Sequence, residues 1–227
     1  YRPRPQGRVV YNIGHVDPNR RFNPRVPVYL DGSGGENTKD PRIRACGWSW
    51  VQMLGRDRTT FGHFGTMDGP QTVPRAETQA LIELCRFLLG SRFFGEIDVC
   101  TDCKYVFIVW HEGNTPKNLH GTNGDLWEEV FQLRASLEAE GVAILLRKVK
   151  AYTDEEDILS GVISLKDQLG NQAADIWAKA GAKRNSTLDD TINSQIDGMV
   201  WLIQDRLIEV YTNFYKPERE GEKSNMP

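Results

Sequence analysis

The order of strand-like and helix-like segments constrains this chain more than any other feature of its sequence. Short runs rich in β-branched and aromatic residues form a meander at the start and then alternate with amphipathic segments. The strand-like runs are 26–31, 44–53, about 59–67, 93–102 and 142–152, and the helical ones are 74–89, 103–110, 125–140 and 171–183. A meander followed by strand and helix alternation predicts a mixed sheet covered by helices, an α/β layered fold.

Composition excludes several classes of protein. The 227 residues are 39% hydrophobic and 26% charged, which is ordinary for one globular domain with a buried core. The longest apolar runs, 105–110 and 142–146, are far shorter than a membrane span, and no signal peptide is visible. The four cysteines are too scattered for a disulfide framework. We therefore expect an intracellular location, in nucleus or cytoplasm, and no membrane partner.

Charge and composition divide the chain into five parts. The first 25 residues carry six arginines against one acid, and this basic arm, rich in Pro and Arg, is either a phosphate-contacting element or a flexible leader. Towards the C-terminus, apolar residues at helical spacing must bury against some surface. The predicted parts are the arm 1–25, the core domain 26–184, a linker 185–190, a C-terminal amphipathic helix 191–215 and a disordered tail 216–227. We expect a monomeric domain or part of a larger polypeptide.

Four carboxylates stand where a simple fold would not put them. Asp31 ends a buried strand, Asp102 ends another, Glu77 falls on the apolar face of the 74–89 helix, and Asp175 lies in the first turns of the last core helix. The opposite face of the 74–89 helix, with Gln79 among its polar residues, is predicted to be solvated. Each acid also has an ordinary explanation: an Asp-Gly turn, a favourable helix dipole or an N-cap.

Taken together, the four acids point to a metal site. The ends of strands and helices open into the crevice where layered α/β domains bind ligands. Two carboxylates about 4 Å apart repel by about 4 kcal/mol at an effective dielectric constant near 20, so four of them require cations. Two divalent ions about 3.5–4 Å apart would balance this charge, and an all-oxygen ligand set favours Mg²⁺ or Mn²⁺ over zinc.

A second candidate site is a C-x-x-C motif formed by Cys100 and Cys103. This motif occurs in redox centres and forms half of some zinc sites. The sequence holds no second C-x-x-C and no nearby pair of histidines. We therefore expect neither redox nor zinc chemistry at these cysteines.

Five motifs in order resemble the landmarks of the type 1 ribonuclease H family, over about residues 26–183. They are "YLDGSG", "PRAETQAL", "TDCKYV", "LW" at 126–127 and "GNQAADIWAKAGA". The resemblance implies a five-stranded mixed sheet with strand order 3-2-1-4-5 and an antiparallel strand 2. It also implies an endonuclease that hydrolyses the RNA strand of RNA/DNA hybrids. Trp127, within these motifs, is predicted to be a core residue rather than a stacking platform.

The resemblance assigns roles to individual residues. It implies that Asp31, Glu77, Asp102 and Asp175 are the catalytic, metal-binding acids, holding two Mg²⁺ ions or Mn²⁺ in their place. The residues it implies for binding the hybrid are Gly32, Ser33, Gln71, Thr72 and Arg75. These groups would read shape, 2′-hydroxyls and phosphates rather than base sequence, with Gly32 letting the backbone approach a phosphate.

Departures from the family pattern keep other functions open. Residues 151–174 contain no His, where the family places one on a mobile loop, and Tyr152 stands near that position, followed by four acids, 154–157. The basic segment that some members carry before "LW" is also reduced. One alternative is a catalytically weak or inactive nucleic-acid-binding module from a retroelement polyprotein. Another is a different nuclease on the same fold, such as a resolvase, transposase or exonuclease.

Overall fold

A computed structural model of the chain describes residues 7–13, 22–41, 43–54, 59–185 and 190–214. One mixed sheet forms its centre. The strands are β1 (Val10–Ile13), β2 (Val28–Ser33), β3 (Gly47–Met53), β4 (Thr60–Thr66), β5 (Gly95–Thr101) and β6 (Val142–Lys148). The helices are α1 (Val73–Gly90), α2 (Lys104–Glu112), α3 (Pro116–Leu119), α4 (Gly124–Ala139), α5 (Glu155–Leu159), α6 (Leu165–Asn185) and α7 (Asp190–Phe214).

The sheet confirms the expected topology and adds a strand. Its order is β1-β4-β3-β2-β5-β6, so β2 to β6 follow the predicted 3-2-1-4-5 order. Strand β3 pairs antiparallel with β2 and β4, whereas β2 pairs parallel with β5 and β5 with β6. The antiparallel pairs need only short connections, while the parallel ones require helical crossovers.

The sixth strand comes from the segment that was predicted to be a basic arm. Strand β1 pairs antiparallel with β4, with Val10 opposite Gly65. The Arg184 guanidinium, from the end of α6, lies 4.1 Å from the centre of the Tyr11 ring, within range of a cation–π interaction. The remainder of the arm, residues 1–6 and 14–21, lies outside the described residues, as do 186–189 of the linker and the tail 216–227.

The N-terminal segment also contacts a side of α1 that was predicted to be solvated but is buried. Gln79 is only 7% exposed and Glu83 only 5%. The Arg8 side chain reaches Glu83 at 2.7 Å, and Arg86 reaches the same carboxylate at 2.7 Å. The prediction was wrong because it treated α1 as if solvent covered this face, whereas cations from the N-terminal segment and from α1 itself satisfy the buried acid.

Helices cover both faces of the sheet. Along β2, Val28 and Leu30 join the larger hydrophobic core with α1, α2 and α4, while Tyr29 joins a second core on the side of α6. Trp127 is fully buried, and its Nε1 donates a hydrogen bond to the Tyr105 hydroxyl at 2.8 Å. Its predicted role as a core residue is confirmed.

Helix α6 lies unusually close to the sheet. A Cβ added to Gly47 of β3 would lie 2.0 Å from the Ala182 backbone nitrogen, and one added to Gly181 would lie 2.4 Å from the Gly65 carbonyl oxygen. At the other end of the helix, the Tyr29 hydroxyl donates to Asp167 Oδ1 at 3.0 Å. The helix begins at Leu165, not near Asn171 as predicted, so the N-terminal part of α6 is also held against the sheet.

The predicted loop between the last strand and the last core helix contains a short helix. The acidic stretch 154–157 opens the short helix α5, in which Asp154 and Asp157 form a capping box, and Lys150 pairs with Asp157 at 2.5 Å.

Helix α7 belongs to a separate compact unit and carries exposed apolar side chains, including Trp201 and Phe214. Among the described residues, no helix has the length and apolarity needed to cross a membrane.

Candidate metal centre

Asp31 lies within the central strand of the sheet. Strand β2 pairs with β3 on one side and β5 on the other, and Leu30 lies opposite Thr101 in the parallel pair. Asp31 and Asp102 are the next residues along these two strands, so the register brings both carboxylates to the same edge. The Asp-Gly pair is therefore not a hairpin turn, and the Asp31 side chain is only 8% exposed.

Gly32 allows α1 to approach this edge. A Cβ at Gly32 would lie 2.4 Å from the Glu77 backbone nitrogen and 2.9 Å from Glu77 Cγ. The Gly32 backbone lies close enough to both the Asp31 and the Glu77 carboxylates to favour their ionised forms and so to oppose the rise of their pKa. Gly32 thus makes room for the helix that carries Glu77, and its predicted approach to a phosphate stays a prediction.

Three acids converge at this point. Asp31, Glu77 and Asp102 each offer a carboxylate oxygen, and these three atoms lie within 4.8 Å of one another. The helix-cap explanation of Asp102 is wrong, because Cys103 is the N-cap of α2. Instead, the side-chain amide of Asn171 donates to Asp102 Oδ2 at 2.9 Å. Asn171 shares a helical stripe with Asp175, and this i, i+4 spacing was the sequence signal that could have identified it.

Burial and mutual repulsion determine the electrostatics of this cluster. Removal from water, together with the nearby Asp102 and Asp175, raises the pKa of Asp31 to about 8. Burial, together with Asp31, raises the pKa of Glu77 well above its usual value. A Gly32 hydrogen bond opposes both shifts but does not cancel them. At neutral pH the cluster therefore retains protons unless a cation neutralises it.

The donor set fits a hard divalent cation. Glu77 is only 5% exposed, and its Oε2 has no hydrogen-bond partner among the described residues. An unpaired carboxylate oxygen in such a place is costly unless an ion satisfies it. All three ligand atoms are oxygens, which suits Mg²⁺ or Mn²⁺ better than zinc. Asp31, Glu77 and Asp102 are thus the residues that could hold such an ion.

The fourth predicted acid stands outside the compact group. Asp175 lies well inside α6 rather than in its first turns, and the described cluster of three acids does not include it. Its Oδ2 accepts a hydrogen bond from Lys179 Nζ at 2.7 Å. Asp175 is near enough to Asp31 to raise the pKa of that acid. It therefore lies beside the cluster but is already paired with a cation.

Two of the residues predicted to bind the hybrid form hydrogen bonds with other parts of the protein. Gln71 Oε1 accepts from the Cys46 backbone N–H and from Asn185 Nδ2, both at 2.8 Å. Arg75 forms a two-pronged pair with Asp125 of α4, with Nη1 to Oδ1 at 2.8 Å. These contacts connect the start of α1 to the segment before β3, to α6 and to α4, and binding of the hybrid by these two residues stays a prediction.

The other predicted hybrid-binding residues lie near the acids. Ser33 ends β2, and its Oγ accepts from the Gly35 backbone N–H at 3.1 Å. Thr72 is the N-cap of α1, but its side chain makes no capping hydrogen bond. Its hydroxyl is therefore not committed to the helix end.

The cysteines show no arrangement for redox or zinc chemistry. All four thiols are free, and Cys100 and Cys103 pack into different hydrophobic cores. Burial raises the pKa of both thiols, which keeps them protonated and unreactive. Within the described part of the chain, the one candidate metal cluster contains only carboxylates.

Comparison of the whole chain with known proteins gives matches of structure but not of sequence. No family model matches the chain, and no curated protein matches it. The structure is similar to that of LC9-RNase H1, a type 1 RNase H with the type 2 active-site motif, at 18% identity and a TM-score of 0.50, covering 74% of this chain and 76% of that one. The chain has the ribonuclease H-like fold.

Other ribonuclease H structures are also similar. RNase H1 from the halophilic archaeon Halobacterium salinarum matches at 19% identity and a TM-score of 0.41, covering 69% of this chain and 96% of that one. LC11-RNase H1 in complex with an RNA/DNA hybrid matches at 16% identity and a TM-score of 0.47, covering 70% of this chain and 98% of that one. The acidic triad of this chain lies at the edge of its two central parallel strands, β2 and β5.

Proposed function

We propose that this chain is a metal-dependent endoribonuclease that hydrolyses the RNA strand of RNA/DNA hybrids. The observation that carries the proposal is the triad Asp31, Glu77 and Asp102, whose oxygens lie within 4.8 Å of one another. A buried cluster of like charges destabilises a fold unless it serves a ligand. The ribonuclease H-like fold, together with this cluster, supports phosphodiester hydrolysis over other metal chemistry.

Each residue of the proposed metal site has a separate role. Asp31 and Asp102 present carboxylates from two neighbouring strands, Glu77 adds a third from α1, and Asn171 fixes the orientation of Asp102. Divalent ions held there would activate water and stabilise the leaving 3′-oxygen of a phosphodiester. Asp175 is the proposed fourth ligand, and the proposed cofactors are two Mg²⁺, with Mn²⁺ as a substitute.

The proposed substrate surface surrounds this edge. Ser33 and the Thr72 hydroxyl lie at the end of β2 and at the start of α1, the two elements that carry Asp31 and Glu77. Groups of this type bind phosphate and sugar oxygens without reading bases. Recognition of the hybrid would then rest on its shape and its 2′-hydroxyls.

A catalytically weak hybrid-binding module is the second candidate function. One observation favours it: Lys179 occupies Asp175, so only three acids are free for ions. The sequence also lacks a His in residues 151–174, and Tyr152 near that position is fully exposed. Under this alternative the chain would bind the hybrid without cutting it.

Cleavage of a labelled RNA/DNA hybrid separates the two candidates. The chain is incubated with Mg²⁺, with Mn²⁺ and with EDTA, and single-stranded RNA, double-stranded RNA and double-stranded DNA serve as controls. The proposed enzyme cuts only the RNA strand of the hybrid and only with metal. The variant Asp102→Asn should abolish cutting yet retain binding of the hybrid, measured by fluorescence anisotropy. Binding without cutting by the unmodified chain would favour the second candidate.

A further inference from the structure

One stripe of helix α6 faces the acidic cluster. Asn171, Asp175 and Lys179 follow one another at intervals of four residues, so they lie above one another on the same side of the helix. The first of them touches the cluster directly, because its amide donates to Asp102 at 2.9 Å. The helix therefore presents an amide, a carboxylate and an ammonium group in sequence along the edge of the site.

The ammonium and the carboxylate of this stripe are joined. Lys179 Nζ lies 2.7 Å from Asp175 Oδ2, while the two side chains are 63% and 43% exposed. The charges of both residues also act on Asp31. Asp175 thus belongs electrostatically to the cluster, although Lys179 already holds one of its two carboxylate oxygens.

From this geometry we infer that Lys179 is a built-in competitor for the second divalent ion, so that the two ions bind with different affinities and in a fixed order. The inference deepens the proposed function and rests on it. Among the described residues, no lysine or arginine lies at hydrogen-bond distance from the buried triad of Asp31, Glu77 and Asp102, so the triad receives an ion first. An ion that uses Asp175 must bind against the positive charge of Lys179 or displace it from the carboxylate.

The exposure of the pair makes this displacement feasible. An exposed Lys–Asp pair at i, i+4 is weak, and a lysine ammonium on its flexible stem moves to new partners readily. A nucleic-acid phosphate beside the site is a suitable new partner for the released ammonium. Binding of the backbone and binding of the second ion would then support each other, because each removes Lys179 from Asp175.

Ion binding to the full chain without nucleic acid tests the inference. Titration calorimetry with Mg²⁺, and Mn²⁺ electron paramagnetic resonance to count bound ions, are carried out on the unmodified chain, Lys179→Gln and Lys179→Arg. We expect one tighter and one weaker ion in the unmodified chain. Lys179→Gln should tighten the weaker ion on the order of tenfold, since it removes a positive charge beside the ligand, and should leave the tighter ion unchanged. Lys179→Arg retains the cation and should bind as the unmodified chain does.

A matched control keeps the test specific. Lys183, one turn further along α6, is exposed, and Lys183→Gln removes the same charge without touching Asp175. Circular dichroism and thermal unfolding verify that each variant is folded. An equal effect of Lys179→Gln and Lys183→Gln, or no effect of either, overturns the inference.

The unmodified chain reports separately on the proposed function. If it binds no ion that Asp102→Asn removes, the metal site itself fails, and the inference fails with it. If it binds one ion only, Lys179→Gln must create a second site, and the inference is overturned if it does not. A chain that binds ions in the expected pattern but cuts no hybrid would support the inference while contradicting the proposed catalysis.

Discussion

Asn171 Nδ2 lies 2.9 Å from Asp102 Oδ2, so a residue of α6 orients the carboxylate that follows β5. The Asn171 Oδ1 is buried and has no hydrogen-bond partner among the described residues. The amide of Asn171 therefore donates to Asp102 while its own carbonyl oxygen stays unpaired among the described residues. Partners of this kind, which hold metal-binding side chains in place, contribute strongly to affinity.

Replacement of Asn171 should weaken the site without disturbing the fold. We expect Asn171→Ala to lower Mg²⁺ affinity and hybrid cleavage by about 10- to 100-fold, because Asp102 loses its orienting donor. Calorimetry measures the affinity, and initial cleavage rates measure the activity. The exposed neighbour Gln172 supplies the control, and Gln172→Ala should change neither quantity. Equal affinities for the two variants would contradict the assigned role.

Gly32 should tolerate no side chain. In Gly32→Ala the added Cβ would stand 2.4 Å from the Glu77 backbone nitrogen, so α1 must shift away from β2. We expect a loss of about 1–3 kcal/mol in the free energy of unfolding, together with weaker ion binding. Gly90→Ala, at the far end of the same helix, meets nothing within 4 Å and should be neutral or slightly stabilising. Urea denaturation compares the unfolding free energies of the two variants. Equal values would show that α1 shifts to accommodate the added methyl group without loss of stability.

The stability of the ion-free chain should fall as the pH rises. The pKa of Asp31 is raised to about 8, and that of Glu77 also lies above its usual value. The folded chain thus holds protons that the unfolded chain releases near pH 4, so this contribution is complete below about pH 4 and is lost as the pH rises towards 8. Each such group changes the unfolding free energy by up to about 1.4 kcal/mol per pH unit.

Urea denaturation in EDTA between pH 5 and pH 8 measures this slope. Asp31→Asn removes one of the two acids and should make the slope shallower, whereas saturating Mg²⁺ should restore stability at pH 8 by binding the ionised acids. An ion-free chain that gains stability over the same range would contradict the assignment.

The N-terminal segment should contribute to stability through Glu83. We expect Arg8→Gln to lower the unfolding free energy by about 1–3 kcal/mol, because it removes a cation from a carboxylate that is only 5% exposed. Arg86 still contacts Glu83, which limits the loss. The exposed pair of Lys117 and Glu112 is the comparison, and Lys117→Gln should cost less than about 1 kcal/mol. Losses of similar size in thermal or urea unfolding would mean that Glu83 does not depend on Arg8.

Local patterns predicted the sheet and three of the acids well. Asp31, Glu77 and Asp102 were identified because each carboxylate occupies a position that apolar periodicity reserves for the interior or for a strand end. Helix starts were harder: α6 begins six residues before the predicted position, because "LKDQLG" has only two apolar residues, too few to distinguish a helix from a loop. Asp175 therefore lies deeper in its helix than predicted, and its pairing with Lys179 follows from their i, i+4 spacing.

Long-range contacts account for the remaining differences. Strand β1 has only four residues and no periodic signal, and its partners in β4 lie 49 to 55 residues away in the chain. The ion pair between Arg8 and Glu83 likewise joins residues 75 positions apart in the chain. Gln71 and Arg75 resemble hybrid-binding residues in sequence, yet their partners Asn185 and Asp125 come from distant helices. Such partners are set by tertiary structure, which local sequence does not encode.

The glycine contacts beneath α6 determine how this chain tolerates mutation. Gly47 and Gly181 are not ligands, yet a single methyl group at either would collide with backbone atoms of the sheet or the helix at 2.0–2.4 Å. Lifting α6 would move Asn171 and Asp175 together, because both belong to that rigid helix. In a library of random variants selected for ion binding, substitutions of these two glycines should therefore be lost as strongly as substitutions of the carboxylates, although neither glycine contacts the ion.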